Sequence, residues 1–351
     1  MAKRKLSTQQ KRRVSNKRSK VLPSEQEVQP VSNDKSLLGP EQHGLVITSF
    51  GKRVLVEADN GKTYKCAIRQ HLGKLVAGDE VIWQTDMEEN SGVVISALPR
   101  THELSRPGFR GQTRMVAANI DFIGVVTPVV PGVHPDMIDR YLVGAQQLDI
   151  PVVIIINKVD LIESDEHWEA IAEILEPYDA MDIPLIPASN VSNEGLAELR
   201  AFMSNKNSVL VGPSGAGKSS LINALIPDLG IRVGQLSEAS GLGKHTTTNS
   251  ILYHLPESEV GLNDGGNLID SPGIRQFSPI PCKLSVLESM YPDFEPYLGK
   301  CKFNNCTHTI EPNCAIKEAV ERGEIAYSRF QSFQRLRDEF KDSETVKNQL
   351  T

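Results

Sequence analysis

A glycine-rich segment between a β-branched run and a helical run constrains the fold of this chain more than any other feature. Residues 208 to 211 are typical of a short strand, and residues 219 to 225 have the apolar spacing of a helix. Between them, residues 212 to 219 read Gly-Pro-Ser-Gly-Ala-Gly-Lys-Ser. A glycine-rich turn that leaves a strand and enters a helix belongs to layered α/β folds with a largely parallel sheet. The sequence therefore predicts a central α/β domain around this loop.

The same loop has the composition of a phosphate-binding site. Glycines let successive backbone N–H groups converge on phosphate oxygens at the N-terminus of a helix. Lys218 is placed to reach the terminal phosphates of a nucleotide, and the Ser219 hydroxyl is placed to bind Mg²⁺. An ordinary turn that happens to contain Gly-Lys-Ser would not explain the flanking strand and helix. The predicted nucleotide-binding residues here are Gly212, Pro213, Ser214, Gly215, Ala216, Gly217, Lys218, Ser219 and Ser220.

A second motif, Asn157-Lys158-Val159-Asp160, follows a continuous apolar run that is typical of a central parallel strand. The Asp160 carboxylate can accept hydrogen bonds from the ring and exocyclic N–H groups of guanine. Asn157 would address the other edge of the base, and the Lys158 stem would cover the ring. Adenine lacks these donors, so the motif predicts selection of GTP over ATP. Ser189, in a Ser/Asn-rich turn, is the supporting candidate for the loop behind the base.

A third motif, Asp270-Ser271-Pro272-Gly273, follows a short apolar run. Asp270 is predicted to face the Mg²⁺ shell, and Gly273 is predicted to offer its backbone N–H to the γ-phosphate. The next residue is Ile274, where many GTPases carry the glutamine that orients the attacking water. Because an isoleucine side chain cannot orient water, the isolated chain is predicted to hydrolyse GTP slowly. The three motifs also stand in rotated order, since an ordinary GTPase presents the phosphate loop first.

The segment before the third motif has the composition of a first switch. Residues 241 to 248 read Gly-Leu-Gly-Lys-His-Thr-Thr-Thr. His245 is the candidate to position water or to stabilise charge, and a solvent-exposed histidine on a flexible loop is the alternative. One threonine hydroxyl is predicted to complete the coordination of Mg²⁺. Thr247 is preferred, but spacing does not separate it from Thr246 or Thr248.

Together these motifs resemble the circularly permuted GTPases of the RsgA (YjeQ) type. The resemblance rests on the rotated order, on Gly-Pro-Ser-Gly-Ala-Gly-Lys-Ser-Ser-Leu-Ile-Asn, on Lys-His-Thr-Thr-Thr and on Asp-Ser-Pro-Gly, and it runs from about Gly44 to about Phe340. It implies a GTPase that acts in late assembly of the small (30S) ribosomal subunit, is stimulated by that subunit and binds its 16S rRNA. It also implies an N-terminal OB barrel, a C-terminal zinc domain and a catalytic role for the switch histidine, which corresponds to His245.

Four potential metal ligands lie close together near the C-terminus in the pattern C-x4-C-x-H-x5-C. They are Cys301, Cys306, His308 and Cys314. Three thiolates and one imidazole suit a closed tetrahedral zinc site that is structural, with no open position for catalysis. Disulfides are the alternative, but nothing in the chain indicates export, so the thiols should stay reduced.

The residues after these ligands have helical spacing. Residues 315 to 322 predict a helix that Gly323 ends. A further helix carries large apolar residues that are predicted to pack on the zinc module rather than to stack on bases: Phe330, Phe333, Leu336 and Phe340. Three arginines lie between them, and the sequence leaves open whether they face RNA or solvent: Arg329, Arg335 and Arg337.

Residues 43 to 98 contain five short β-rich runs, with Asp59-Asn60-Gly61 as a strong hairpin turn between the second and third. Five short strands fit an OB barrel, a fold that often binds oligonucleotides. The pattern alone fits an SH3-like barrel nearly as well, and the family resemblance decides for the OB-fold. Residues 101 to 114 are predicted to form a surface loop because of their glycine and arginine content.

The chain begins with a strongly basic segment. The first twenty residues contain nine lysines and arginines and no acidic residue, although the whole chain carries a net charge of −6. Such a tail on an acidic body neutralises phosphates and speeds encounter with RNA, and a solvated tail that only aids solubility is the alternative. No apolar run approaches the length of a membrane span. The sequence therefore predicts a cytoplasmic protein without a membrane partner. We also expect a monomer.

The predicted organisation is multidomain. It comprises a basic disordered tail and linker (1–40), an OB-fold barrel (41–103), a circularly permuted α/β P-loop GTPase domain (104–280) and a mainly helical zinc-binding domain (281–351). Two functional classes fit: a GTPase stimulated by the small ribosomal subunit, and a nucleotide-gated RNA-binding protein for which hydrolysis is incidental. Both bind GTP or GDP with Mg²⁺ and carry one structural Zn²⁺.

Overall fold

The fold is taken from a computed structural model, which describes residues 38–86, 91–107, 113–226, 229, 249–256, 265–271 and 277–350. The basic tail lies outside these ranges. So do His245, the three switch threonines and Gly273. Within the described residues, no helix combines the length and the apolar composition that a membrane span requires.

The N-terminal part is a five-stranded barrel. Its strands are β1 (Leu38–Phe50), β2 (Arg53–Ala58), β3 (Thr63–Ile68), β4 (Glu80–Asp86) and β5 (Ser91–Ala97). They pair in the order β1-β2-β3-β5-β4, and β4 pairs again with β1, which closes the barrel. β3 and β5 run parallel, while the β1–β2, β2–β3 and β4–β5 pairs are antiparallel. This strand order confirms the OB barrel over the SH3-like alternative.

The barrel core explains the sequence pattern. Alternate residues of the strands point inward, and Val46, Val54, Val56 and Trp83 are fully buried there. The predicted hairpin turn between β2 and β3 is present, with Gly61 at a φ of +75°. A positive φ favours glycine because it has no Cβ to clash with the backbone.

A two-stranded ribbon follows the barrel, and here the predicted surface loop is wrong. Strands β6 (Glu103–Pro107) and β7 (Thr113–Ala118) pair antiparallel. Leu104 and Ala117 are buried in the core below the central sheet. Composition indicated a loop because glycine and arginine occur together in residues 106 to 111, but the apolar residues that flank them anchor both strands.

The central sheet continues from the barrel. Its strands are β8 (Phe122–Pro128), β9 (Val152–Asn157), β10 (Leu185–Ala188), β11 (Asn207–Val211), β12 (Ile251–His254) and β13 (Asn267–Asp270). Their order is β10-β9-β8-β11-β13-β12, and the β12–β13 pair alone among these described strands is antiparallel. A single register pair, Thr48 with Ile251, joins β12 to β1 of the barrel.

Helices cover both faces of the central sheet, as expected for buried parallel strands. They are α1 (Pro135–Gln146), α2 (Asp165–Asp179), α3 (Leu196–Met203) and α4 (Lys218–Leu225). One core contains Ile138 and Tyr141 of α1 together with Ile171 and Leu175 of α2. The core on the other face contains Leu199 of α3 and Leu221 of α4. The sheet therefore carries its polar motifs only at the strand ends.

The C-terminal module is helical. It contains α5 (Leu284–Glu288), a 3-10 turn (Pro292–Tyr297), α6 (Ala315–Glu321) and α7 (Tyr327–Leu350). Gly323, at a φ of +75°, follows the end of α6 as predicted. The four large apolar residues of α7 lie in one core with Tyr291 and Phe294, which confirms that they pack within the module.

The sequence left open whether the three arginines of α7 face RNA or solvent, and the structure shows that two of them are buried. Arg329 is buried and forms ion pairs with Asp139 of α1 and with Asp293, the latter at 2.7 Å between Nη2 and Oδ1. Arg337 is also buried and donates to the Thr307 carbonyl oxygen at 3.0 Å. Only Arg335 is exposed, and it pairs with Asp136. Charge along a helix did not reveal that α1 would cover this face.

Helix α1 joins the central domain to the C-terminal module. Besides the Asp139 ion pair, Arg140 forms a bidentate ion pair with Glu339 of α7. Val143 belongs to the C-terminal core. The two units thus share packing as well as charge at this helix.

Candidate nucleotide site and metal centre

The sheet topology brings the three sequence motifs to one edge. β9, β11 and β13 run parallel, so the segments that follow their last residues emerge on the same side. These segments are the base-reading motif (residues 157 to 160), the glycine-rich loop (residues 212 to 219) and the Asp270 motif (residues 270 to 273). Ligands of open α/β sheets bind at the carboxyl ends of the strands. The rotated sequence order therefore produces an ordinary arrangement in space.

The glycine-rich loop needs glycine at two positions. Gly212 has a φ of +147°, and a Cβ there would lie 2.3 Å from the Val126 carbonyl oxygen. Gly217 has a φ of +90°, and a Cβ there would lie 2.4 Å from Asn157 Nδ2. The backbone thus approaches its neighbours too closely for any side chain. It turns directly into α4, and the first N–H groups of an α-helix have no partner within the helix itself.

Asn157 ties the base-reading motif to this loop. Its side chain is fully buried, and Nδ2 donates to the Ala216 carbonyl oxygen at 2.7 Å. Among the described residues, Asn157 Oδ1 has no hydrogen-bond partner. Lys158 has a left-handed backbone with a φ of 66°, and its Nζ donates to the Val130 carbonyl oxygen at 3.3 Å. The two motifs therefore form one wall.

Asp160 is held by the turn after β10. The Ser189 hydroxyl donates to Asp160 Oδ1 and accepts from the backbone N–H groups of Val191 at 3.0 Å and Ser192 at 3.1 Å. Ser189 is buried. A carboxylate has about four acceptor sites, so this contact orients Asp160 and leaves acceptors for a ligand. The sequence named both residues but gave no sign of their direct contact.

Lys218 lies over the glycine-rich loop. Its Nζ donates to the carbonyl oxygens of Gly212 at 2.8 Å and Pro213 at 2.7 Å. The ammonium is therefore held at the loop, where it adds positive charge to the N-terminus of α4. Ser219 and Ser220 follow it and are exposed. This arrangement suits an anion with several oxygens.

Tyr141 of α1 lies next to the glycine-rich loop, and sequence reasoning missed it. Its hydroxyl lies beside the backbone N–H of Gly212. Burial raises the pKa of Tyr141, because the phenolate would be poorly solvated, so the hydroxyl stays protonated. Its ring stacks on Phe277 with ring centroids 6.3 Å apart. An apolar helical spacing gave no signal for a tyrosine that contacts a loop so distant in sequence.

Asp270 ends β13 and is exposed, while the next residue, Ser271, is buried. Burial and, to a smaller degree, the Asp270 carboxylate raise the pKa of Tyr253 on the neighbouring strand. Oxygen ligands such as the Asp270 carboxylate and the Ser219 hydroxyl are the kind that Mg²⁺ prefers. The donor chemistry at this strand edge therefore fits the cation that accompanies a nucleoside triphosphate.

A pocket of about 260 Å³ adjoins this motif between the barrel, the ribbon and the residues just before β12. Lys74 and Arg114 line it together with Ser250 and Ser271. Both cations are exposed. The pocket offers positive charge and hydroxyl groups beside the Asp270 motif, and the sequence did not indicate that these residues meet.

The four predicted metal ligands come together in the C-terminal module. Their ligand atoms all lie within 4.8 Å of one another. His308 Nδ1 lies 3.2 Å from Cys314 Sγ and 3.7 Å from Cys301 Sγ. Burial raises the pKa of the Cys314 thiol to about 12, so a cation is needed to keep a thiolate there. Three cysteines and one histidine in this cluster fit a zinc ion.

A carboxylate orients the histidine of this cluster. Glu288, at the end of α5, has Oε1 at 3.0 Å from His308 Nε2. The Nε2–H donates to the carboxylate, which directs the lone pair of Nδ1 at the cysteines. Sequence reasoning missed Glu288, because only the packing of α5 on the cluster brings it there.

Comparison with known proteins gives a consistent result. The sequence profile of a family described as RsgA GTPase matches residues 97–279. "Small ribosomal subunit biogenesis GTPase RsgA" of Mannheimia succiniciproducens is 40% identical over 341 residues, which cover 96% of this chain and 95% of that protein. The protein of the same description from Haemophilus influenzae is 39% identical over 351 residues and 99% of each chain.

Solved structures show the same similarity. YjeQ from Thermotoga maritima matches with a TM-score of 0.67 and 30% sequence identity, covering 86% of this chain and 99% of that one. YloQ, described as a circularly permuted GTPase, matches with a TM-score of 0.66 and 27% identity, covering 87% of this chain and 96% of that one. The rotated motif order is thus shared with known structures.

Proposed function

The chain belongs to the RsgA GTPase family and is a GTP hydrolase, and we propose that the small ribosomal subunit stimulates this hydrolysis. In this proposal the protein acts as a late assembly factor of the 30S subunit and binds its 16S rRNA. The observation that carries the GTPase part is the contact between Asn157 and the glycine-rich loop, which unites a base reader with a phosphate cradle. The names of the relatives support the ribosomal part.

Guanine selection is assigned to four residues. Asp160, oriented by Ser189, accepts from the N–H groups of guanine, while Asn157 addresses the opposite edge. The Lys158 stem covers the ring. An adenine ring would offer the carboxylate no N–H donors, and a base that covers the carboxylate without donating to it is disfavoured.

Phosphate binding is assigned to the loop and to the start of α4. The backbone N–H groups of residues 214 to 220 surround the phosphates, and Lys218 leaves its carbonyl contacts to meet the terminal phosphate oxygens. Ser219 and Asp270 would hold Mg²⁺ with Thr247, or with Thr246 or Thr248. When bound, this cation neutralises charge that develops on the phosphate oxygens. Gly273 would offer its N–H to the γ-phosphate.

The attacking water needs a polar group that the Asp270 motif lacks. Ile274 follows Gly273, and an aliphatic side chain neither donates nor accepts a hydrogen bond. We assign the positioning of water to His245, with the ribosomal subunit bringing it into place. Slow hydrolysis by the chain alone follows from this arrangement.

RNA binding is assigned to the barrel and to the basic tail. Lys74 and Arg114 add two exposed cations in the pocket beside Ser271. An rRNA backbone there would contact the protein next to the Asp270 motif, which would link RNA binding to the nucleotide site.

The Cys301, Cys306, His308 and Cys314 cluster would hold one structural zinc ion. We further propose domain limits of 41–103, 104–280 and 281–351, a monomer, and a cytoplasmic location.

The test is GTP turnover, measured as phosphate release with and without purified small subunits, for the wild type, His245→Ala and the control His167→Ala. We expect stimulation of about a hundredfold or more, retained in His167→Ala and lost in His245→Ala, since positioned acid–base groups contribute about 10²–10⁴-fold. Large ribosomal subunits serve as the negative control. Equal turnover under all conditions would contradict stimulation. If the protein then cosediments with the small subunit in the presence of a GTP analogue but not of GDP, a nucleotide-gated RNA-binding protein is favoured.

A further inference from the structure

Helix α2 presents a strongly acidic surface. Between Val159 and Leu199, apart from His167, every ionisable charge is negative: Asp160, Glu163, Asp165, Glu166, Glu169, Glu173, Glu176, Asp179, Asp182, Glu194 and Glu198. Within the described part of the chain, the ion pairs include none of the α2 carboxylates. Uncompensated negative charge repels nucleic acid and anionic membranes and attracts cations.

An apolar groove lies along this acidic helix. It has a volume of about 470 Å³ and runs between α2 and β10, the edge strand of the central sheet. Its apolar lining consists of Ile156, Trp168, Ala172, Leu175, Leu185 and Pro187. Glu173, Glu176 and Asp179 form its acidic rim.

The groove exists because α2 covers its side of the sheet edge only in part. Along β10, Ile186 and Ala188 point to the opposite face and are buried, whereas Leu185 and Pro187 on this face stay half-buried. Trp168 is 39% exposed, although tryptophan side chains are highly buried on average. Exposed aromatic side chains beside a pocket are the groups that most often anchor a protein partner.

We propose that this groove is a docking site for a lysine- or arginine-rich protein segment that carries an aliphatic anchor. The anchor would pack on Leu185 and Pro187, and the cationic heads would meet the acidic rim. Lysine and arginine stems pack well on an indole ring, and their charges are attracted to its face. The proposal does not depend on the proposed function, since the groove uses no residue assigned to nucleotide, magnesium or zinc.

Trp168 gives a direct test. The chain has two tryptophans, and the other, Trp83, is fully buried in the barrel. The full-length protein is titrated with a tryptophan-free peptide that alternates lysine with leucine, and tryptophan fluorescence is recorded. We expect a saturable change that is lost in Trp168→Phe and that weakens as salt rises, because exposed charges are screened. A peptide with glutamate in place of lysine is the negative control.

Matched variants in α2 and in the residues just before it separate the effect of the groove from that of general acidity. Glu173→Gln/Glu176→Gln removes two rim charges, and Glu163→Gln/Glu169→Gln removes two nearby exposed charges that do not line the groove. We expect the rim variant to weaken peptide binding by about tenfold and the control by less than about twofold. GTP turnover should be unchanged in both.

Three outcomes of the peptide titrations would overturn the proposal. They are the absence of saturable peptide binding, equal loss in the two double variants, and tighter binding of the glutamate peptide. Fluorescein-labelled oligouridylate is included as a further probe, and RNA affinity that depends on Glu173 and Glu176 would also reject a basic peptide as the occupant. Thermal unfolding of each variant checks that the fold is retained.

Discussion

At the scale of single residues, the proposed guanine specificity depends on the Asp160 carboxylate. Its contact with Ser189 holds one carboxylate oxygen, and the remaining acceptor sites are available for the two N–H groups of guanine in our proposal. Asp160→Asn replaces an acceptor by an N–H donor, which would face the N–H groups of guanine. We expect GTP affinity to fall by about a hundredfold or more, and xanthosine triphosphate, which presents an oxygen there, to bind better than GTP.

Equilibrium binding of fluorescent GTP and XTP analogues measures this exchange. Asp182→Asn is the matched control, because that aspartate is exposed and outside the site. Unchanged GTP affinity in Asp160→Asn would remove the carboxylate from base recognition. Rescue by XTP distinguishes a specificity change from a loss of folding.

The sequence predicted those candidate site residues that lie in contiguous motifs. Asn157, Asp160 and Lys218 stand at strand ends or helix starts, and such positions can be recognised without a structure. Tyr141 and Glu288 could not be found in this way, because their roles come from contacts across packed elements. A helical tyrosine and a helical glutamate have the same local pattern whether or not they touch a site.

Glu288 yields a prediction about the metal centre. Glu288→Gln keeps the shape of the side chain but removes the charge that orients His308, so zinc affinity should fall by about 10–100-fold. Competition with a chromogenic zinc chelator measures the affinity. Glu295→Gln is the control, since Glu295 is exposed on the following turn. Equal affinity in the two variants would mean that packing alone orients the imidazole.

At the scale of elements, the contact of α1 with α7 differs most from expectation. Periodicity predicted a helix with apolar residues on one face, but not which element would cover its arginines. Arg329 and Asp139 are buried together, so removal of the arginine leaves a buried carboxylate without its charged partner. Breaking one side of a buried ion pair is far more costly than losing an exposed pair.

We therefore expect Arg329→Met to destabilise the C-terminal module by about 3–5 kcal/mol. Arg335→Met, which breaks an exposed pair, should cost less than about 1 kcal/mol. Urea unfolding followed by near-ultraviolet circular dichroism of the aromatic cluster measures both. Asp139→Asn/Arg329→Met should recover part of the loss, because the buried charge is gone. An additive effect in the double variant would argue against coupling between the two side chains.

At the scale of the whole molecule, α1 connects the candidate nucleotide site to the C-terminal module that carries the candidate zinc centre. Its Tyr141 contacts Gly212 of the phosphate loop, and its Val143 packs in the C-terminal core. Gln147, just after the helix, makes two hydrogen bonds with the backbone of Ile280, from Nε2 to the carbonyl oxygen and from the N–H to Oε1, both at 2.7 Å. Ile280 lies on the segment that leads from the Asp270 motif to the module.

This connection predicts that the bound nucleotide changes the C-terminal module through α1. Hydrogen exchange of residues 282 to 340 should differ between GDP and a non-hydrolysable GTP analogue, since a rigid element in contact with both sites transmits a shift at one to the other. Gln147→Ala removes both bonds to Ile280 and should reduce this difference while GTP affinity stays unchanged. Gln146→Ala, at the exposed neighbouring position, should leave it intact. Equal protection under both nucleotides in the wild type would show that the module does not sense the nucleotide, and an undiminished difference in Gln147→Ala would place the route elsewhere.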